Sequence, residues 1–132
     1  MATTTATISI SSSNMIPGMR MNYYKTATLH KAGGCKGLEK IQSSTKEYTS
    51  VSKVELLDQT EVTTDKANKL YIKNLSVDST EFITVSLTTE ELGRLYAGDW
   101  MFIPWSGDGT TNIEVQPSVA SSMKIEYVLV HE

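Results

Sequence analysis

The segment KLYIKNL, residues 69–75, alternates apolar with polar side chains at a period of two. Leu70 and Ile72 fall on one face of an extended chain, because successive side chains of a β-strand point to opposite sides. The same alternation recurs in EFITVSL (81–87) and in MKIEYVLV (123–130). Each of the three segments predicts a strand with one face in the core and one face towards water.

The composition of the whole chain also favours extended structure. It contains 17 threonine and 15 serine residues among 132. Threonine is β-branched and suits strands, whereas serine competes for backbone hydrogen bonds and weakens helices. Together with the weaker strand candidates, this predicts an all-β fold, an antiparallel β-sandwich or jelly roll of about eight short strands. The weaker candidates are TATISIS (5–11), YKTATLH (24–30), YTSVSKVELL (48–57), WMFIP (100–104) and NIEVQP (112–117).

One segment, TTEELGRLYAG at 88–98, is a helix candidate. Thr88 and Glu91 have the spacing of a capping box, and Gly98 is suited to end a helix. Gly93 lies in its middle and costs about 1 kcal/mol relative to alanine, so we expect at most one short helix of two turns.

Two segments between the strands have the composition of connections. SVDST (76–80) predicts a hairpin connection, and KAGGCKG (31–37) predicts a flexible loop. The N-terminal residues 1–13 hold only Ile8 and Ile10 as large apolar groups, so their own burial offsets little of the ordering entropy. We therefore expect a flexible or extended arm over 1–13, able to add a strand to a neighbour's sheet, and a single β-sandwich domain over 14–132.

The segment RLYAGDWMFIPWSGDG, residues 94–109, contains both tryptophans of the chain. Alternation puts Trp100 and Phe102 on one face of a strand and Trp105 on the other, and both faces are apolar. Pro104 cannot donate to a sheet ladder, so it predicts the end of the strand or an unpaired edge. We expect Trp100 and Phe102 in the core, while Trp105 is open between a core position and an exposed contact surface.

A second apolar concentration lies at NMIPGMRMNYY, residues 14–24. Methionine adapts to irregular contact surfaces and tyrosine is enriched in interfaces. The segment is open between a loop folded over one end of the sandwich and a contact between subunits of a homo-oligomer. The resulting interface candidates are Met15, Ile16, Met19, Met21, Tyr23, Tyr24 and Trp105.

Enzymatic motifs are missing from the sequence. His30 and His131 have no nucleophile context, Cys35 is the sole cysteine, and neither GxGxxG nor a Walker motif occurs. The net charge of -3 gives no electrostatic reason to expect nucleic acid, and no apolar run reaches the length of a membrane span. We expect a non-enzymatic protein without catalytic residues, cofactor or metal, and with neither nucleic acid nor membrane among its partners.

The Thr-rich start and the stretches KANKLYIKNLS…TEFITVSL, GRLYAGDWMFIPW and KIEYVLVHE resemble small β-rich virion structural proteins of tailed bacteriophages, particularly marine ones, and the resemblance covers roughly residues 68–132. The resemblance implies a head decoration or cement protein, or a neck or tail component. It would be located in the virion after assembly in the host cytoplasm, and its partners would be the major capsid protein or other virion proteins. The alternative function is carbohydrate binding by a β-sandwich, as in a tail or host-recognition component, with Trp105 stacking on a sugar.

Overall fold

The computed structural model describes residues 3–34, 36–108 and 110–132, with the side chains of residues 14–16 excepted. The chain divides into two compact units, Met1–Glu39 and Lys40–Glu132. The described residues form ten antiparallel strands and one 3-10 turn, which confirms the predicted all-β fold. The elements are β1 (Thr4–Ile16), β2 (Met19–Leu29), β3 (Lys40–Tyr48), β4 (Val54–Leu57), the 3-10 turn (Gln59–Glu61), β5 (Asn68–Asn74), β6 (Phe82–Leu87), β7 (Glu90–Tyr96), β8 (Trp100–Trp105), β9 (Ile113–Pro117) and β10 (Met123–His131).

The first unit contains a β-hairpin made of β1 and β2. Thr4 pairs with Leu29 and the register continues without a break to Ser12 opposite Met21. The chain reverses at Pro17 and Gly18, and Gly18 has a φ of 80°, a conformation that glycine adopts without strain. The main-chain partner of the N-terminal strand is therefore β2 of the same chain.

The second unit is a sandwich of two four-stranded sheets. Their strand orders are β3-β10-β5-β8 and β4-β9-β6-β7. Among the described strands of this unit, only β6 and β7 are neighbours both in sequence and in a sheet, and the other connections cross from one sheet to the other. This order of eight strands is that of a jelly roll. The two last strands, β9 and β10, occupy interior positions, one in each sheet.

The core lies between the two sheets, and the predicted alternation is confirmed there. In β5 every second side chain is buried, and β10 buries Ile125, Tyr127 and Leu129 as predicted. β6 buries Ile83 and Val85 from the opposite sheet. These side chains belong to one continuous apolar cluster, which explains why the eight strands hold together as one body.

The predicted helix at 88–98 is wrong. Thr88 and Thr89 form a turn with a φ of 52° at Thr88, and residues 90–96 form β7, paired with β6. The register of this pairing shifts between Val85 and Ser86 of β6, so Leu92 of β7 has no partner across the ladder. Pairing with β6 satisfies the backbone that an isolated two-turn helix would leave largely open to water, so tertiary pairing overrides the local capping signal.

Two connections also differ from their sequence-based predictions. SVDST (76–80) joins β5 to β6, which belong to different sheets, so it crosses the sandwich and is not a hairpin. The predicted strand 48–57 is divided, because Tyr48 ends β3 and Val54 begins β4 after a bend. The strands β3 and β7 account for the difference between the eight predicted strands and the ten observed.

The division between the two units also lies at another position than the predicted arm boundary. Residues 14–24, assigned from sequence to the sandwich domain, belong to the hairpin unit, and the sandwich begins at Lys40. In the predicted loop 31–37 the described residues turn back so that His30 bridges Gly37. Cys35 lies outside the described residues.

A buried asparagine holds the connection between β7 and β8. The side-chain amide of Asn74 donates to the carbonyl of Leu95 at 3.0 Å and accepts from the backbone N–H of Ser76 at 2.9 Å. Its backbone N–H donates to Asp99 at 3.0 Å, and its carbonyl accepts from Gly98 at 3.0 Å. Every polar group of Asn74 is thus used to join the end of β5 to the crossing connection.

Candidate functional site

The hairpin has two chemically different faces, because cross-strand partners in an antiparallel pair share a face. One face combines Ile8 opposite Lys25, Ile10 opposite Tyr23, and Ser12 opposite Met21. Met19 falls on the same face, two positions before Met21 along β2. We call this surface the apolar hairpin face and define it by Ile8, Ile10, Met19, Met21 and Tyr23, all of which are exposed to solvent.

The opposite face of the hairpin is rich in hydroxyl groups. Thr5 lies opposite Thr28, Thr7 opposite Thr26 and Ser9 opposite Tyr24. The Thr7 and Thr26 hydroxyls are hydrogen bonded at 2.9 Å. Tyr23 and Tyr24, which the sequence analysis grouped together, therefore point to opposite faces, with 48% and 64% of their surface exposed.

The apolar hairpin face belongs to a sheet of only two strands, and this explains its exposure to solvent. A two-stranded ribbon is marginally stable alone and needs a packing partner for its apolar side. Burying one isoleucine, methionine or tyrosine of this face would contribute roughly 1.5–3 kcal/mol. The face therefore holds a large unused driving force for association. The side chains of the remaining candidates in this segment, Met15 and Ile16, lie outside the described residues.

Trp105, the seventh interface candidate, is buried. Only 3% of its surface is exposed, and it lies in the sandwich core. Its indole N–H donates to the carbonyl of Thr111 at 2.5 Å. Of the two positions that the sequence left open for it, Trp105 thus occupies the core position.

The exposed aromatic residues of β8 are Trp100 and Phe102, at 47% and 40% of their surface, where we had expected core positions. The predicted alternation of side chains along β8 is confirmed, and the predicted inner face is wrong. β8 lies at the edge of its sheet and pairs with β5 alone among the described strands, which agrees with the edge position predicted from Pro104.

Trp100 and Phe102 share the outer face of their sheet with Tyr71 of β5. Tyr71 lies directly opposite Phe102, and its ring centroid is 6.2 Å from that of Trp100. We call these three side chains the aromatic patch. Lys69 and Lys73 flank Tyr71 along β5 on the same face, and Lys73 lies directly opposite Trp100.

The hydrogen bond beside the aromatic patch joins Tyr71 to Glu126 and does not involve Lys69 or Lys73. The Tyr71 hydroxyl donates to the carboxylate of Glu126 at 3.2 Å, and burial, followed by this hydrogen bond, raises the pKa of Tyr71. Among the described residues, neither Lys69 nor Lys73 has a carboxylate within ion-pair distance or any hydrogen-bond acceptor for its ammonium group. Lys73 also lies directly opposite Glu126 of β10, whereas Lys69 lies opposite Val130. The patch therefore combines its rings with one lysine beside a carboxylate and one lysine without a carboxylate opposite it.

The outer face of the other sheet offers a contrast. There Phe82 lies opposite Tyr96, with ring centroids 5.4 Å apart. The guanidinium of Arg94 covers the Phe82 ring at 4.5 Å from its centroid. The Phe82 ring is thus covered by a cation of its own sheet, whereas the described residues place no cation over the rings of Trp100 and Phe102.

An open depression of about 500 Å³ lies at the end of β8. Its lining includes Asp65, Lys66, Asn68, Pro104 and Trp105. Asn68 is buried and its amide donates to the carbonyl of Thr63 at 3.3 Å, which ties the start of β5 to the chain that precedes it.

Two further titratable groups of the sandwich have pKa values shifted by burial. Burial, followed by the charge of Lys40, lowers the pKa of His131, and burial raises the pKa of Tyr48 to about 12. His30 is exposed in the hairpin unit. Within residues 3–34, 36–108 and 110–132, no three His, Cys, Asp or Glu side chains converge on a position suited to a metal ion.

Comparisons with protein-family models, curated proteins and solved structures give no match to this chain. In the part of the chain that the structure describes, no helix has the length and apolar character needed to cross a membrane. The apolar hairpin face and the aromatic patch are the candidate functional surfaces, since both expose large apolar side chains.

Proposed function

We propose that this chain is a non-enzymatic structural protein of a phage virion, which decorates or cements the capsid through protein–protein contacts. The observation that carries the proposal is the apolar hairpin face. Five large apolar side chains lie on one side of a ribbon that has a hydroxyl-rich opposite side. An exposed apolar surface of this kind promotes aggregation of a monomer, and a partner that covers it removes the apolar side chains from water.

The scaffold supports the same proposal. A jelly roll supplies a rigid body with its own core, and this architecture is common in viral capsid and lectin domains. The hairpin adds an amphipathic ribbon whose center carries isoleucine, methionine and tyrosine in place of charged groups. Depletion of charge at the center, together with tyrosine and methionine, is typical of protein interfaces.

The partners proposed for the apolar hairpin face are a second copy of the chain and the major capsid protein. Lys25 is the charged residue of this face and lies opposite Ile8, beside the tyrosine of the next pair. Its ammonium group lies 5.9 Å from the Tyr23 ring centroid, so its stem can pack on apolar surface while its charge stays at the rim. A partner can therefore cover the apolar side chains while the ammonium group of Lys25 stays in water.

Tyr23→Ser and Tyr24→Ser form a matched pair that tests the contact. Both replace an exposed tyrosine of β2, and they differ in the face on which the side chain lies. We expect Tyr23→Ser to weaken association by about 1–3 kcal/mol, mainly through faster dissociation, and Tyr24→Ser to change it little. Sedimentation velocity across a concentration series measures the effect, and equal losses in the two variants would contradict a one-sided contact.

The location in a virion needs a separate measurement. Mass spectrometry of purified particles of the phage that encodes the chain should find it in fixed stoichiometry to the major capsid protein. Particles assembled with Tyr23→Ser should carry less of it than particles with Tyr24→Ser. Absence of the chain from intact particles would refute the virion role even if the hairpin mediates self-association.

A further inference from the structure

The aromatic patch differs from the apolar hairpin face in the placement of charge. Lys73 lies directly opposite Trp100, and Lys69 directly opposite Pro104, so positive charges are interleaved with the rings. Covering this surface with a protein would desolvate both ammonium groups at the center of the interface, which is costly unless each meets a carboxylate. The patch is therefore poorly suited to a flat apolar protein contact.

The same arrangement is suited to a ligand that is apolar on its ring faces and polar at its edges. The face of an aromatic ring carries partial negative charge, and the C–H groups of a pyranose ring carry partial positive charge, so the two stack. The carboxylate of Glu126 can accept hydrogen bonds from sugar hydroxyls next to the bond it already accepts from Tyr71. Water remains in such a contact, which keeps the desolvation of the lysines low.

The unused lysines select among sugars. Both ammonium groups lie on the same face as the rings, and among the described residues neither is within ion-pair distance of a carboxylate, although Glu126 lies directly opposite Lys73. A neutral oligosaccharide would leave them unpaired, whereas carboxylate or sulfate groups along a chain would pair with them. We propose that the aromatic patch binds an acidic oligosaccharide, with sugar rings stacked on Trp100 and Phe102 and its anionic groups on Lys69 and Lys73.

This site is independent of the virion role, since it uses none of the residues of the apolar hairpin face. Single-stranded nucleic acid also stacks on aromatic side chains and pairs with lysine. The two lysines form only a small basic area on a chain of net charge -3, whereas nucleic acid binders usually carry a larger basic face, so we favour a short acidic oligosaccharide over a nucleic acid strand.

The test is binding of alginate oligosaccharides to the full chain, followed by tryptophan fluorescence at low ionic strength. Because Trp100 is exposed and Trp105 is buried, a ligand on the patch should change the emission of Trp100. We expect saturable binding of alginate hexasaccharide, at least roughly tenfold weaker binding of maltohexaose, and weakening with added salt. Trp100→Ala, measured by calorimetry, should reduce the affinity for alginate by roughly tenfold or more.

Two control variants separate the patch from general surface effects. Tyr96→Ala removes an equally exposed aromatic ring from the other sheet, and Lys36→Gln removes an exposed lysine of the hairpin unit. We expect neither to change the affinity for alginate, whereas Lys73→Gln should lower it several-fold and leave maltohexaose binding unchanged. No binding by the unaltered chain, or equal losses for Lys73→Gln and Lys36→Gln, would overturn the proposal. Tighter binding of oligothymidylate than of alginate would also overturn it, in favour of nucleic acid.

Discussion

The hairpin and the sandwich are built from the same alternating strands, and they use their apolar faces differently. In the sandwich, Ile72 of β5 is fully buried because a second sheet lies over its face. In the hairpin, Ile10 of β1 has the same place in an alternating pattern, but 46% of its surface is exposed. The pattern of a strand thus fixes which side is apolar, and the number of layers decides whether that side is satisfied within the chain.

Because of this difference, the two apolar surfaces contribute to different quantities, the free energy of unfolding and the free energy of association. Apolar residues of the sandwich contribute to the free energy of unfolding, since they leave water when the chain folds. Apolar residues of the hairpin face contribute little until a partner arrives, because water reaches them before and after folding. Variants of the two regions should therefore change different measured quantities.

The sharpest form of the comparison replaces one isoleucine in each region. Ile72→Ala should lower the free energy of unfolding by about 2–5 kcal/mol, since it removes buried methyl groups and leaves a cavity. Ile10→Ala should lower it by less than about 0.5 kcal/mol. Urea denaturation followed by circular dichroism measures both. A comparable loss for Ile10→Ala would mean that the hairpin has an internal core, and the comparison would fail.

Two asparagines test the same contrast for polar groups. Asn74→Ala removes the amide that bonds Leu95 and Ser76, so we expect a loss of about 1–3 kcal/mol in the free energy of unfolding. Asn22→Ala, on the exposed hydroxyl-rich face of the hairpin, should stay within about 0.5 kcal/mol of the parent chain. Thermal denaturation of both variants gives the comparison, and a stable Asn74→Ala protein would show that the crossing connection does not need this residue.

Removal of the hairpin unit should have a smaller effect on stability than either core variant. The apolar core cluster and the side chains packed against it fall within 48–129, so a chain of residues 40–132 keeps this cluster entire. We expect it to unfold cooperatively, with a free energy within about 1 kcal/mol of the full chain, and to lose association. Calorimetry and light scattering on this shorter chain measure both quantities. A disordered product would show that the sandwich depends on the hairpin for folding.

The smallest expected effect is a pH dependence from the connection that crosses the sandwich. Hydrogen bonds from the backbone N–H and the hydroxyl of Thr80 hold the pKa of Asp78 below its usual value. The folded chain thus binds this proton less tightly than the unfolded chain. The stability that the carboxylate contributes is present at neutral pH and is lost as the pH falls through the usual range of aspartate to the lowered pKa.

Asp78→Asn is the matching variant, because it retains an acceptor oxygen and does not titrate. Its free energy of unfolding should fall less steeply than that of the parent chain between pH 5 and pH 3, as urea titrations at each pH would show. In the hairpin unit, a hydrogen bond and ion pair from Lys31 at 2.9 Å lower the pKa of Glu39. Glu39→Gln should leave the acid dependence of sandwich unfolding unchanged.

The sequence contained enough information for the fold class and for the inward faces of three strands. Alternation at Leu70, Ile83 and Ile125 identifies the buried side because the opposite side is polar. At β8 both sides are apolar, so alternation groups the residues correctly and gives no direction. Trp105 is the inward residue because its indole N–H finds a carbonyl in the core, a three-dimensional fact without a local signal.

The pairing of β1 with β2 and the strand β7 could not be predicted for a related reason. The strand β1 is mostly threonine and serine, and its apolar face becomes visible once the register with β2 is known. The residues of β7 have the spacing of a helix cap, and long-range pairing with β6 overrides this preference. The aromatic patch was likewise hidden, since it joins Tyr71 to residues about 30 positions later in the chain through pairing of β5 with β8.

The interior positions of β9 and β10 have a consequence for synthesis of the protein. Each sheet places one of these late strands between strands that the ribosome makes earlier, β9 between β4 and β6, and β10 between β3 and β5. Until β9 and then β10 have left the ribosome, each sheet in turn lacks an interior strand, and the apolar faces of the sandwich have no complete covering. Folding must then close long loops at once, which is slow in chains dominated by distant contacts. The newborn chain thus passes through a stage with open strand edges, when chaperone capture competes with aggregation.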